Sequence, residues 1–494
     1  MQPCYGCGNV LVEVHRSSVP RCLDPAPERP KGGSRSAPPL GECSARAPSR
    51  ALRPTGFPAG RSSRTRADPS SIGHPIDRPE HANGGFLTAG GVRTPLLVTG
   101  PDGPLPARGR DLGRLRTFAD GVLAWDDDGA VTYAGPANGA PASAEPVDGA
   151  VVPGFVDCHT HLPFRGWRSD EFEARLAGRS YRDVQGGGGG IFRSARLLAE
   201  SSDDEVVAFC RPLLGEMLRH GTTTCELKTG YGLSVEAELR QARLARAIAG
   251  QIEQTATVTL LACHAVPPEM DRTTWVRQVC EELIPAAAAE GLADMVDVYV
   301  EDIAFSVQDF ERVAQAATDH GLGVRCHADQ LGHSAAAEAA VAAGARSADH
   351  LNNTGPEGIA ALGEGRTVAV LLPVSTLFLR ADPPPVDALL DAGAAVALAT
   401  DFNPGTSPCL SMPEVMSVAA SLYRLEPAAA LVAATANAAF VLGLEDRVGT
   451  LDVGKRADFV VLDAPEVAML AYRPGHDPVL QTWIGGRLVY RTET

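Results

Sequence analysis

Hydrophobic and polar positions along the chain fall into distinct regimes. Over residues 94–150, short runs such as Leu96-Leu97-Val98 and Gly121-Val122-Leu123-Ala124-Trp125 are separated by turn clusters, including Asp126-Asp127-Asp128-Gly129. That is the pattern of a small β unit. A matching pair of runs closes the chain at 457–463 and 480–490, so the two ends are expected to build one β-sandwich. Between them, β-branched apolar runs recur with helical patterns interposed, the mark of βα units around a parallel sheet. The first is read in the run from Val151 to Leu162, with Pro153 and Gly154 marking where the chain turns into the strand that leads to His159 and His161; the others are expected at 222–226, 258–263, 295–300, 322–326, 346–349, 368–372 and 396–400. Among the helices, Ser202 with Glu205 makes a capping box ahead of Val206, Cys210, Leu214 and Met217 at helical spacing, with a bend expected at Pro212. Residues 335–343, closed by Gly344, form another. Eight strands with intervening helices predict an α/β fold, a (β/α)8 TIM-like barrel over 151–446. Its chemistry is expected at the C-terminal strand ends. The small sandwich is expected from 94–150 and 447–494.

Residues 1–93 break the pattern. They are rich in Pro, Gly, Ser and Arg and lack hydrophobic periodicity, so they are expected to be a disordered leader. An organellar transit peptide and a mis-assigned start both remain open for this segment; a secretory signal would need an apolar core that it lacks. The segment also carries 13 Lys+Arg against 7 Asp+Glu, leaving the rest of the chain, 31 against 53, at −22. So acidic a body excludes nucleic acid as a partner, because neutralising phosphates needs a basic surface. No apolar run approaches the roughly 20 residues of a membrane span. Of the 11 cysteines, the seven beyond residue 50 are scattered through apolar segments, as reduced thiols of a cytoplasmic protein would be.

The predicted strand ends carry the candidate chemistry. His159 and His161 follow the first strand, and period-two alternation projects them together. His264 ends the third strand, Glu301 the fourth, His327 the fifth, His350 the sixth and Asp401 the eighth. Three imidazoles (His159, His161, His327) and the Asp401 carboxylate form a nitrogen-rich set suited to Zn²⁺ or Fe²⁺ with a position left for water. Such a metal lowers the pKa of water from 15.7 to about 7, and Asp401 can take the proton. His350 is expected to hydrogen-bond the nucleophile, with a pairing to Asp349 as the plainer alternative.

At this point the residues carry a resemblance. His159-Thr160-His161 after Pro153-Gly154, His327, Asp349-His350, Thr400-Asp401 and the closing stretch Gly449 through Asp458 resemble the amidohydrolase superfamily. Within it the similarity is to the imidazolonepropionases, over about residues 94–492. It rests on Arg168-Ser169-Asp170-Glu171-Phe172, Lys228-Thr229-Gly230-Tyr231-Gly232-Leu233, His264-Ala265-Val266-Pro267, His327-Ala328-Asp329-Gln330 and Asp401-Phe402-Asn403-Pro404-Gly405-Thr406-Ser407. The resemblance implies hydrolysis of the ring amide of 4-imidazolone-5-propanoate to N-formimidoyl-L-glutamate, the third step of histidine degradation. It implies one Zn²⁺ or Fe²⁺/Fe³⁺ per subunit on His159, His161, His327 and Asp401, and allows a homodimer. Catalytic roles go to Asp401, His350, His264 and Gln330. Substrate contacts go to Arg168, Tyr231, His264 and Gln330, with Asn403, Gly405 and Thr406 meeting the product. Dinuclear relatives need a bridging lysine on the fourth strand, where this chain has Glu301. Arg168 is the clamp for the propanoate, since a guanidinium grips a carboxylate bidentately. The Gly186 to Gly190 run is expected to be a flexible loop over the mouth. The rival readings are a related deaminase or cyclic-amide hydrolase acting on another heterocycle, and a non-catalytic protein on the same fold. Deaminases carry Glu where Gln330 stands, and Gln cannot ionise; a non-catalytic protein usually lacks ligands, and none is missing here.

Overall fold

The computed structural model describes residues 89–141 and 143–493. Most of the expected leader lies outside them, but Gly90–Pro101 is already a strand, so the β unit opens four residues before the expected boundary at Thr94.

Eight strands run in chain order as one parallel sheet: Phe155–Asp157, Thr222–Lys228, Thr255–Cys263, Met295–Val300, Gly323–Ala328, Ser347–His350, Val368–Leu371 and Val396–Leu398. Every residue of the second, fourth, sixth and seventh is buried. Strands covered on both faces are rich in apolar residues, as Val368–Leu371 is throughout, whereas Thr222–Lys228 and Ser347–His350 also bury polar and charged side chains. The first and last are only three residues long, and a side chain helps to join them. Asp157 accepts from the Thr400 amide at 3.1 Å and hydroxyl at 2.6 Å, and Thr160 bridges to Phe402. The helix Asp203–Arg219 starts on the Ser202–Glu205 capping box, contains Pro212 and buries Val206, Cys210, Leu214 and Met217. Ala336–Ala342 forms the helix expected over 335–343.

One expectation needs correction. The turn expected at Pro153 and Gly154 is present, but the residues before it are not part of the barrel expected to begin at 151: Ala150–Pro153 belongs to the second sheet, and only Phe155–Asp157 enters the barrel. The chain changes sheets at Gly154, where a Cβ would lie 2.4 Å from Thr223 Oγ1, a close approach only glycine permits.

The second sheet is built from both chain ends, in the order Arg487–Arg491, Val479–Ile484, Phe459–Leu462, Ala150–Pro153, Gly90–Pro101, Leu115–Trp125, Val131–Pro136. It is continuous, and it curls into a sandwich rather than splitting into two sheets. Trp125 lies three strands from Phe459 in that order, yet their rings are 5.5 Å apart, and Trp125 also meets Trp483 at 5.6 Å. Among the described residues, no helix is long and apolar enough to cross a membrane, and all seven cysteines are free.

Candidate active site

The barrel lumen is charged, although its walls are apolar. Period-two alternation turns Glu226 and Lys228 inward from the second strand, Asp297 from the fourth, Arg325 and His327 from the fifth, and Asp349 from the sixth. All five charged groups other than the imidazole are 0% exposed. They form one chain: Asp297 to Lys228 at 2.7 Å, Lys228 to Glu226 at 2.9 Å, Glu226 to Arg325 at 2.5 Å, and Arg325 to Asp349 at 2.6 Å. Each end carries an imidazole, with His159 Nδ1 2.6 Å from Asp349 and His327 Nδ1 3.0 Å from Asp297. Burying so many charges is costly, and each is retained against that cost only because it is paired. Burial opposes the Asp297 anion, but His327, Lys228 and Arg325 outweigh it and hold this carboxyl well below its usual range. Glu226, Asp297 and Arg325 were missed in the sequence, and Lys228 and Asp349 were named only within motifs, Asp349 also as an alternative partner for His350. The available signal was charge at alternate positions inside strands that are otherwise apolar.

The chain of charges holds the imidazoles toward a common point. Donation from His159 Nδ1 to Asp349 leaves the Nε2 lone pair free, and that nitrogen lies 3.3 Å from His161 Nε2. Asp401 Oδ1 is 3.2 Å from His161 Nε2 and 3.7 Å from His159 Nε2. Nitrogens of His159, His161 and His327 lie within 4.8 Å of one another, as do ligand atoms of His159, His350 and Asp401. The buried Nε2 of His327 has no hydrogen-bond partner, which a cation at the centre of this set would supply. Burial, reinforced by neighbouring cations and imidazoles, pushes His159 and His161 well below the usual imidazole range. They are therefore neutral, as ligands must be. The donor set fits a Zn²⁺ or Fe²⁺ ion.

His350 makes no hydrogen bond to Asp349, whose Oδ2 is shared by His159 and Arg325. It lies against the cluster, with burial lowering it to about 3. Its backbone (φ 79°) and that of Asp401 (φ 54°) are both left-handed. Such conformations in residues with side chains cost about 1–3 kcal/mol and gather at functional sites. Burial raises Asp401, opposed by His350, Ser375 and Asn403.

A small cavity opens on this cluster, lined by His161, Arg168, Ile191, Tyr231, His264, Tyr299, His327, Gln330, His350, Asp401, Asn403 and Thr406. Tyr299 and Ile191 were not singled out in the sequence, because an aromatic or aliphatic residue at a strand or helix end carries no distinctive signal. His264 stacks on His161 at 5.1 Å and is kept neutral by burial. Arg168 is 3% exposed, so it is not a surface arginine. Its Nε and Nη1 have no hydrogen-bond partner, and the nearest carboxylate oxygen, on Glu171, is 3.7 Å from Nε. The Asn403 amide oxygen accepts from Gly405 N–H, Thr406 N–H and the Thr406 hydroxyl, and its Nδ2 donates to Asp401. Asn403 therefore shapes the turn that carries Asp401. Gly405 does not line the cavity; the Arg168 guanidinium packs on its Cα. Gly186 closes the helix Tyr181–Gly186, and Gly190 donates to Glu171 just before Ile191 reaches the cavity.

Two predictions arise here. A Cβ on Gly405 would lie 1.7 Å from Arg168 Nη2, so Gly405→Ala is expected to displace the guanidinium. The expected loss in kcat/KM is at least about 10-fold, the worth of one charge-assisted hydrogen bond, with metal content unchanged; steady-state kinetics and metal analysis check this. The second concerns Glu301, which accepts from Leu331 N–H at 2.8 Å and is pushed by burial from 4.5 to about 7. An acid raised in the fold lends stability that is complete below its unfolded value and lost as pH rises through about 7. Glu301→Gln is therefore expected to melt higher than the parent at pH 8, with the difference vanishing toward pH 5 in thermal unfolding.

The amidohydrolase family model matches residues 150–489, and the chain belongs to that family. Among curated proteins it is 46% identical to the imidazolonepropionase of Rubrobacter xylanophilus over 76% of this chain and 92% of that one. It is 45% identical to the imidazolonepropionase of Methylobacterium nodulans, over 74% and 93%. Among solved structures, a zinc-bound adenosine deaminase from Xanthomonas campestris superposes with a TM-score of 0.60 at 20% identity, covering 81% of this chain and 92% of that one. At that identity the likeness is one of fold.

Proposed function

We propose that the chain hydrolyses the ring amide of 4-imidazolone-5-propanoate to N-formimidoyl-L-glutamate, the third step of histidine degradation. The observation that carries this reading is one cavity holding both a metal-binding imidazole–carboxylate cluster and a buried guanidinium with unpartnered N–H groups. A small heterocycle with an anionic arm engages both. The activity named for the relatives above is the same.

A single Zn²⁺ or Fe²⁺ held by His159, His161, His327 and Asp401 would supply Lewis acidity toward the ring carbonyl and acidify the attacking water. Asp401 takes the water's proton, a role that its raised proton affinity supports. His350, neutral at working pH, accepts a hydrogen bond from the nucleophile. Arg168 holds the propanoate, and Tyr231 contacts the ring. His264 donates through Nδ1 to the Gly230 carbonyl at 3.3 Å, which leaves Nε2 as an acceptor. Gln330 both donates and accepts but cannot ionise, so it suits binding of a ring amide better than the proton shuttling of a deaminase. All seven cysteines among the described residues are free, as a reducing compartment would leave them, which supports a cytoplasmic location.

The test uses protein stripped with a chelator, reloaded with zinc or iron, and assayed on 4-imidazolone-5-propanoate, adenosine and guanine. Activity on the first alone, lost on stripping and regained on reloading, is expected. Ammonia release from either purine compound would overturn the reading.

A further inference from the structure

Tyr231 stands on the loop that leaves the second barrel strand, Thr222–Lys228, and precedes the helix Val235–Ala249. The loop forms no helix or strand, yet its backbone is buried through Tyr231, so its amides need partners other than water. Two side chains of the following helix supply them. Glu238 accepts from Gly230 N–H at 3.1 Å, Gly232 N–H at 2.6 Å and Leu233 N–H at 3.2 Å. Gln241 accepts from Tyr231 N–H at 3.0 Å. Every amide from Gly230 to Leu233 therefore ends on one of two side chains, both 0% exposed. Gln241 also donates to the Pro163 carbonyl at 2.9 Å, two residues beyond His161.

We infer that Glu238 and Gln241 are positioning residues that fix the Tyr231 ring against the substrate and tie its loop to the segment carrying His161. The inference rests on the reading that Tyr231 contacts substrate. A carboxylate is an acceptor at both oxygens, so it can serve several converging N–H groups. A glutamine turns one end into a donor, which faces those same N–H groups and releases part of the loop. Misplacing a binding group by about 1 Å can cost up to about 100-fold. Neither residue touches the metal cluster, so the loss belongs to binding.

The test is a double-mutant cycle on the metal-loaded full chain, with 4-imidazolone-5-propanoate as substrate. Glu238→Gln is expected to raise KM about 10-fold while kcat stays within about 3-fold and metal content is unchanged. In a Tyr231→Ala background the same substitution is expected to add less than about 2-fold, because the group it positions is gone. Equal factors in both backgrounds, or a fall confined to kcat and metal content, would overturn the positioning role, since either marks a general structural effect. Tyr231→Ala without effect on KM would overturn the Tyr231 reading itself; Tyr231→Ala raising KM while Glu238→Gln is silent would overturn the positioning role alone. Should Glu238→Gln not fold, Gln241→Leu removes only the bonds to Tyr231 N–H and Pro163 and carries the same expectations.

Discussion

His327→Ala is expected to lose bound metal and activity together. The imidazole is one of three whose nitrogens lie within 4.8 Å of one another, and its buried Nε2 has no other partner. Its other nitrogen lies 3.0 Å from Asp297, which is itself bound to Lys228. Removing the ring therefore deletes a ligand and leaves Asp297 with one neighbour fewer. Loss of stoichiometric metal on purification, with kcat down by at least about 10³-fold, is the expected result, as removal of an electrostatic contributor to a hydrolytic transition state costs about 10²–10³ before ligand loss is added. Asp401→Asn keeps the shape but loses the anion and the base, so kcat is expected to collapse even at saturating substrate. Full metal occupancy with normal turnover in His327→Ala would remove His327 from the ligand set.

Arg168→Ala is expected to fail differently. The guanidinium is buried with two unpartnered nitrogens, and a charge-assisted bond to the propanoate is worth roughly 1.5–3 kcal/mol, so kcat/KM should fall about 10- to 150-fold. KM should carry much of that loss while metal content stays intact. On a ring analogue without the carboxylate, the parent should lose its advantage over Arg168→Ala, because nothing remains for the guanidinium to hold. If the substitution were as damaging on the analogue, Arg168 would be structural and the carboxylate site should be sought elsewhere.

The barrel was legible because its strands are buried on both faces: Met295–Val300 reads as a strand from sequence and is one. The cluster was legible because barrels carry chemistry at strand ends, where His159, His161, His264, His327, His350 and Asp401 stand. What escaped was set by three-dimensional context. Pro153 and Gly154 mark a turn in the sequence, but nothing in an apolar run shows that the turn carries the chain from one sheet to the other. Glu226, Lys228 and Arg325 face inward, and a charge within a strand is ordinarily assigned to a wet face. Asn403 sits in the motif that resembles a product contact, and only the structure shows its amide engaged by Asp401, Gly405 and Thr406.

The most direct measurement is turnover of 4-imidazolone-5-propanoate in ¹⁸O-labelled water by the metal-replete protein, with fragmentation of the product by mass spectrometry. Attack at the ring carbonyl predicts N-formimidoyl-L-glutamate with the label in the newly formed carboxylate and none on the formimidoyl carbon. Label on the one-carbon unit would place attack at the amidine carbon and give an isomeric formyl product; that result, or no turnover at all, would contradict the account.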